Sequence, residues 1–76
     1  MITVMVFGQL ADIIQCKQLD IKEAADTQAL VRQLEDQYPR LTQSKYVIAV
    51  NKRVITENTE LINGATVALL PPFSGG

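Results

Sequence analysis

An α+β fold is predicted: one domain, with a mixed sheet of about five strands packed on a single main helix. Three observations predict it. Short apolar, β-branched runs recur along the 76 residues. One amphipathic stripe of helical period sits between the second and third of those runs. The hydrophobic content of 47% is enough for one core and too high for a disordered chain. A chain this short buries only about 60% of the surface its unfolded form exposes, so the core is thin.

Residues 2–7 (ITVMVF) read as the first strand, ended by Gly8. Leu10, Ile13 and Ile14 then fall at helical spacing and predict a short helical turn. Residues 18–22 (QLDIK) alternate apolar with polar and suit a second strand paired with the first as a hairpin. The main helix starts near Thr27, whose hydroxyl is placed to cap it. Leu30, Val31, Leu34 and Tyr38 form its apolar stripe, with Arg32, Gln33, Glu35 and Asp36 facing water. Pro39 ends it after about three turns, because proline lacks the amide hydrogen and disfavours helical geometry at Tyr38.

Residues 46–50 (YVIAV) form the third strand, and Asn51-Lys52 a tight turn into a short strand at Arg53, Val54 and Ile55. Residues 56–62 suit a loop or one turn of helix, anchored by Leu61 and Ile62. After the Asn63-Gly64 turn, residues 65–70 (ATVALL) read as a central strand covered on both faces. Pro71-Pro72 stops it. A hairpin, a helix across it and a late strand returning to the centre make a β-grasp, ubiquitin-like arrangement, with residues 1–70 as the domain and 71–76 as an extended tail.

Composition removes most conventional chemistry. There is no histidine and one cysteine, so neither a Ser-His-Asp nor a Cys-His machine can be assembled, nor a zinc site of the usual kind. Cys16 has no base to activate it and reads as a packing thiol; a lone cysteine also argues against a secreted disulfide scaffold. Seven basic side chains against eight acidic ones leave no footprint for nucleic acid. No apolar run spans a membrane, and Met1-Ile2-Thr3-Val4 does not open a signal peptide, so a cytoplasmic protein is expected.

The tail is what remains to carry chemistry. Pro71 and Pro72 stiffen its root, and Phe73, Ser74, Gly75 and Gly76 follow. From Leu70 to Gly76 it reaches roughly 20 Å when extended. Gly75 and Gly76 lack a Cβ and can thread a narrow channel in another protein. A carboxylate on Gly76 is ionised at neutral pH and, once adenylated with ATP, becomes open to attack by an amine, thiol or persulfide. A frayed terminus is the plainer alternative, but prolines directly after an apolar strand favour presentation.

These residues resemble the small, sulfur-carrying subunit of molybdopterin synthase, the MoaD-like branch of the MoaD/ThiS family, over essentially the whole chain. The Pro-Pro-x-x-Gly-Gly ending is matched by Pro71, Pro72, Phe73, Ser74, Gly75 and Gly76. Supporting matches are Phe7 and Leu10, Tyr38-Pro39 and Val50-Asn51. The chain departs from the family at Ala11-Asp12, where Arg-Glu is frequent, and at Ala65-Thr66, where Asp-Glu is frequent.

The resemblance implies a cycle. A ubiquitin-activating-like enzyme spends ATP to form an acyl-adenylate on Gly76. A sulfur donor converts that to a thiocarboxylate, and the tail enters the large synthase subunit, in a heterotetramer, to sulfurate a cyclic pyranopterin. No cofactor is held permanently, and the catalytic side chains belong to the partners. The thiazole-pathway carrier shares Gly-Gly but usually lacks the double proline; a ubiquitin-like modifier and a plain binding domain are the other readings. Phe7 on the first strand and Lys52 and Arg53 at a hairpin tip are candidate partner contacts, the basic pair as a match for an acidic surface.

Overall fold

The computed structural model describes residues 1–72. They run in the order β1 (Ile2–Val6), α1 (Gln9–Ile14), β2 (Gln18–Ile21), α2 (Thr27–Gln37), a 3₁₀ helix (Pro39–Gln43), β3 (Val47–Val50), β4 (Arg53–Ile55) and β5 (Thr66–Leu70). The five strands form one mixed sheet in the order β2-β1-β5-β3-β4. β1 and β5 pair in parallel at its centre, and the remaining pairs are antiparallel. The β-grasp expectation holds, with α2 as the main helix.

Period-2 patterning decides which face is inside. Ile2, Val4 and Val6 of β1 and Val67 and Leu69 of β5 are buried, and the helices contribute Leu10, Ile14, Leu30, Leu34 and Leu41 to the same cluster. Leu30 and Leu34 lie one turn apart on α2 and are wholly buried, Tyr38 packs at the margin, and half-buried Val31 lines a groove between α2 and the β3–β4 hairpin instead. β5 is central, but it is covered on one face only. Thr66, Ala68 and Leu70 are half-buried on the open side of the sheet, which corrects the expectation of cover on both faces. Its apolar outer residues serve a surface, and an apolar run alone does not distinguish the two cases.

The cap of α2 differs from expectation as well. Asp26, not Thr27, is the N-cap: its Oδ1 accepts the Ala29 N–H at 2.8 Å, and its backbone is extended. Thr27 is drawn into the fold instead. Its hydroxyl accepts the Thr59 N–H at 2.9 Å and donates to Asn58 Oδ1 at 3.2 Å. Residues 56–62 form no helix; they are stitched to the start of α2 by these bonds and by a bridge between Asp26 and Glu60. After Pro39 the chain makes a 3₁₀ turn that buries Leu41, an element absent from the sequence reading.

The Ala29 amide, followed by the Asn58 side chain, holds the Asp26 carboxyl below the usual aspartate value. The folded state therefore binds fewer protons here than the unfolded state. The stabilisation is complete above the unfolded pKa, about 3.9, and is lost as pH falls through the lowered folded value. Urea midpoints should fall on acidification through this range, and Asp26→Asn, which keeps the capping oxygen but cannot ionise, should flatten that fall. An unchanged pH profile in the variant would show that Asp26 is not responsible.

Candidate functional site

Parallel pairing of β1 with β5 brings the C-terminal ends of both strands to one end of the sheet. The register sets Val4 opposite Val67 and Val6 opposite Leu69. Phe7 N–H donates to the Leu69 carbonyl at 3.1 Å, and the chain then turns at Gly8 into α1. β5 ends at Leu70, and Pro71 and Pro72, both exposed, leave the sheet beside Phe7 and Gly8. The tail root thus sits at the centre of the sheet end, not at an edge. Phe73, Ser74, Gly75 and Gly76 lie outside the described residues.

Phe7 keeps 41% of its surface exposed, whereas Val6 before it is buried. It closes an apolar patch on the open face of the sheet. The registers line up Met5, Ala68, Ala49 and Val54 in one row across four strands, with Leu70 and Val47 opposite each other in the next. Val54 is 52% exposed, while Ala49 is buried among its neighbours although it lies on the outer side. Apolar side chains left on a sheet face beside an exiting tail suit docking to another protein. Val54, Leu70 and Ala49 belong to this patch and were missed by sequence reasoning; once the strands pair, alternation finds them.

Lys52 and Arg53 are exposed at the β3–β4 tip, where Asn51 and Lys52 adopt left-handed φ values of 50° and 72°. Asn51 N–H donates to the Thr66 carbonyl at the start of β5. The basic pair therefore stands at the opposite end of the sheet from Pro71, about 17 Å away along β5. The fold brings Phe7 to the tail root and keeps Lys52 and Arg53 away from it.

A groove of about 840 Å³ opens between α2 and the β3–β4 hairpin, lined by Val31, Glu35, Tyr46, Ile48 and Ile55 among others. Tyr46 donates to Glu35 Oε2 at 3.2 Å, and burial, reinforced by the Glu35 charge, pushes its pKa up to about 12. It stays protonated at neutral pH and offers no base. Among the described residues no group of three or more His, Cys, Asp or Glu is placed to hold a metal ion, and no helix is long and apolar enough to cross a membrane.

Comparisons with known proteins bear on the same elements. The model of the ThiS family matches residues 4–76. The chain is similar to the solution structure of small archaeal modifier protein 1 from Methanosarcina acetivorans, at 22% identity and a TM-score of 0.84, over 99% of this chain and 95% of that one. It is similar to a putative molybdopterin converting factor subunit 1 from Pyrococcus furiosus, at 20% identity and a TM-score of 0.80, over 95% of this chain and 97% of that one. These two speak for the fold alone. A third similarity, at 31% identity and a TM-score of 0.72, covers 99% of this chain and 97% of a chain in the complex of subunits 1 and 2 of molybdopterin-converting factor from Helicobacter pylori. With the β-grasp sheet, the central tail root and a family match from the first strand through the tail, the chain belongs to the ThiS family.

Proposed function

We propose that this chain is the sulfur-carrier subunit of molybdopterin synthase, and that the Gly76 carboxylate is its working group. The supporting observation is the delivery of Pro71-Pro72 from the central strand beside an exposed aromatic, in a family whose match runs through residue 76. The 31% identical relative, itself in a two-subunit complex, supports a large synthase subunit as partner. Residues 1–70 form the docking domain, and residues 71–76 reach into the partner.

The chemistry follows from the carboxylate. An adenylating enzyme resembling the ubiquitin-activating class joins it to AMP and releases pyrophosphate. A sulfide equivalent then attacks the acyl carbon and expels AMP, leaving a thiocarboxylate. That anion is a far better nucleophile than the carboxylate: its sulfur displaces an oxygen from a carbon of a pyranopterin precursor held by the large subunit, and water then cleaves the acyl–sulfur bond, leaving the sulfur on the pterin and returning the Gly76 carboxylate. Side chains of this domain dock and aim; they do not react. Intact mass of the protein from its own cells, showing sulfur in place of one oxygen, tests the reading. A carboxylate form alone, with conjugates to lysines of other proteins, would favour the modifier role.

Phe7 offers a second test. As an interface anchor, its loss in Phe7→Ala should weaken binding to the large subunit roughly thirtyfold, an effect of about 2 kcal/mol. Because Phe7 is 41% exposed, the melting temperature should move little. Calorimetric titration with a thermal melt on the same sample separates the outcomes; unchanged affinity removes Phe7 from the interface.

A further inference from the structure

The tail root contains a contact that places one more residue in the carrier's machinery. In the β1–β5 ladder, Thr3 lies opposite Thr66 and donates to Ala65 O, the carbonyl one residue before its partner. Phe7 repeats the pattern one position beyond the last paired residues, donating to Leu69 O. The next rung would run from the amide of residue 71 to the Phe7 carbonyl. That residue is proline and has no N–H, so the ladder ends there and the chain is released from the sheet.

What then gives the released chain a direction lies opposite, on Gly8. An ideal Cβ on Gly8 would stand 3.0 Å from Pro71 Cγ, 3.5 Å from its Cδ and 3.6 Å from its Cβ. The pyrrolidine ring therefore occupies the space that any other residue's side chain would claim. Gly8 also holds φ 61° and ψ −141°, a conformation essentially restricted to glycine, and its carbonyl accepts the Ala11 N–H at 3.1 Å to start α1. The bare Cα is pinned on one side by the strand and on the other by the helix.

We propose that Gly8 is a positioning residue for the tail: the Pro71 ring seats on its bare Cα, and this contact sets the angle at which the tail leaves the domain. The inference rests on the tail-carboxylate reading for its functional consequence, though not for its geometry. The direction of the root decides how the chain beyond it is presented to an adenylating site, where a misplacement of about 1 Å is enough to slow reaction.

The test is a double-mutant cycle of Gly8→Ala and Pro71→Ala, read by carrier-dependent ATP–pyrophosphate exchange with the adenylating enzyme of the same cells. Gly8→Ala should lower kcat about tenfold, with KM for the carrier changed by less than about twofold, because docking surfaces are untouched. With Pro71 already replaced by alanine, the same substitution should cost less than about threefold, since the colliding Cγ is gone; backbone strain at position 8 is common to both arms and cancels in the ratio between them. Two effects that simply multiply would overturn the proposal, as would an unchanged kcat.

Structure is read separately, without any enzyme, from one-bond Cα–Hα residual dipolar couplings. Those of Pro71 and Pro72 should change in Gly8→Ala while those of β1 and α2 persist; unchanged couplings at both prolines overturn the proposal. If Gly8→Ala does not fold, Pro71→Ala decides it alone, because losing the ring should reorient residue 72 and protect the new amide at position 71 from exchange. A wild-type chain that is not adenylated at all would remove the carrier reading, and the couplings would then decide the role of Gly8.

Discussion

Removing Gly76, or adding one residue after it, is expected to abolish sulfur transfer and to leave the domain almost as stable as before. The two halves of this expectation have separate causes. The core is built from residues of β1, α1, β2, α2, the 3₁₀ turn and β5, together with Ala24, Leu61 and Ala65, and among the described residues none of it lies beyond Leu69. Shortening the tail therefore costs few buried contacts. The carboxylate, by contrast, is the one group that can carry sulfur in the proposed cycle. One extra residue moves it about 3.5 Å along the chain, several times the tolerance of a reacting pair. Conversion of the pyranopterin precursor, supplied with sulfide, adenylating enzyme and large subunit, is the measurement. Full turnover by the shortened chain would sink the proposed function. Gly75→Ala should be milder yet still harmful, since its Cβ would meet the wall of a narrow channel.

Leu69→Ala should produce the largest loss of stability, about 2–5 kcal/mol. Leu69 is wholly buried on the central strand, and the residues it meets across the sheet, Val6 and Ile48, are themselves held in register. They cannot collapse into the space left behind, which puts the cost toward the upper part of that range. A domain of this size has roughly 4–11 kcal/mol in total, so a third or more of it would be lost. Val54→Ala, at a residue 52% exposed on the edge strand, is the control and should cost well under about 1 kcal/mol. Urea unfolding of both variants decides. The Leu69 carbonyl also receives the Phe7 amide at the tail root, so the variant should lose carrier activity on warming well before wild type does.

Element types were legible in the sequence because residues 2–6 form a β-branched, apolar run and a helical stripe passes through Leu30 and Leu34. What was not legible depends on pairing across the chain. Asp26 and Thr27 are both good caps, and the choice between them is made by Thr59 and Asn58, more than thirty positions away. Both faces of β1 are apolar, so only the register shows that Phe7 is outside while Val6 is inside. The same holds for Ala68 and Leu70, where an apolar run reads equally well as core or as docking surface. Pro71-Pro72 marked the tail from composition alone. That its ring rests on Gly8 follows only from the parallel alignment of two strands about sixty positions apart.

That alignment also governs how the domain can come apart. β5 is the one strand that touches both β1 and β3, so without it the sheet falls into two separate hairpins, β2-β1 and β3-β4. Two-stranded hairpins are marginal in water at best. Bringing Thr3 to Thr66 closes a long loop before any contact rewards it, which slows folding and makes it all-or-none. A chain interrupted anywhere ahead of residue 66 holds no half-built scaffold, and a pulling force on the tail is transmitted first to this central pair. A Pro71 ring that rests on Gly8 therefore reports a sheet whose two central pairings are already made.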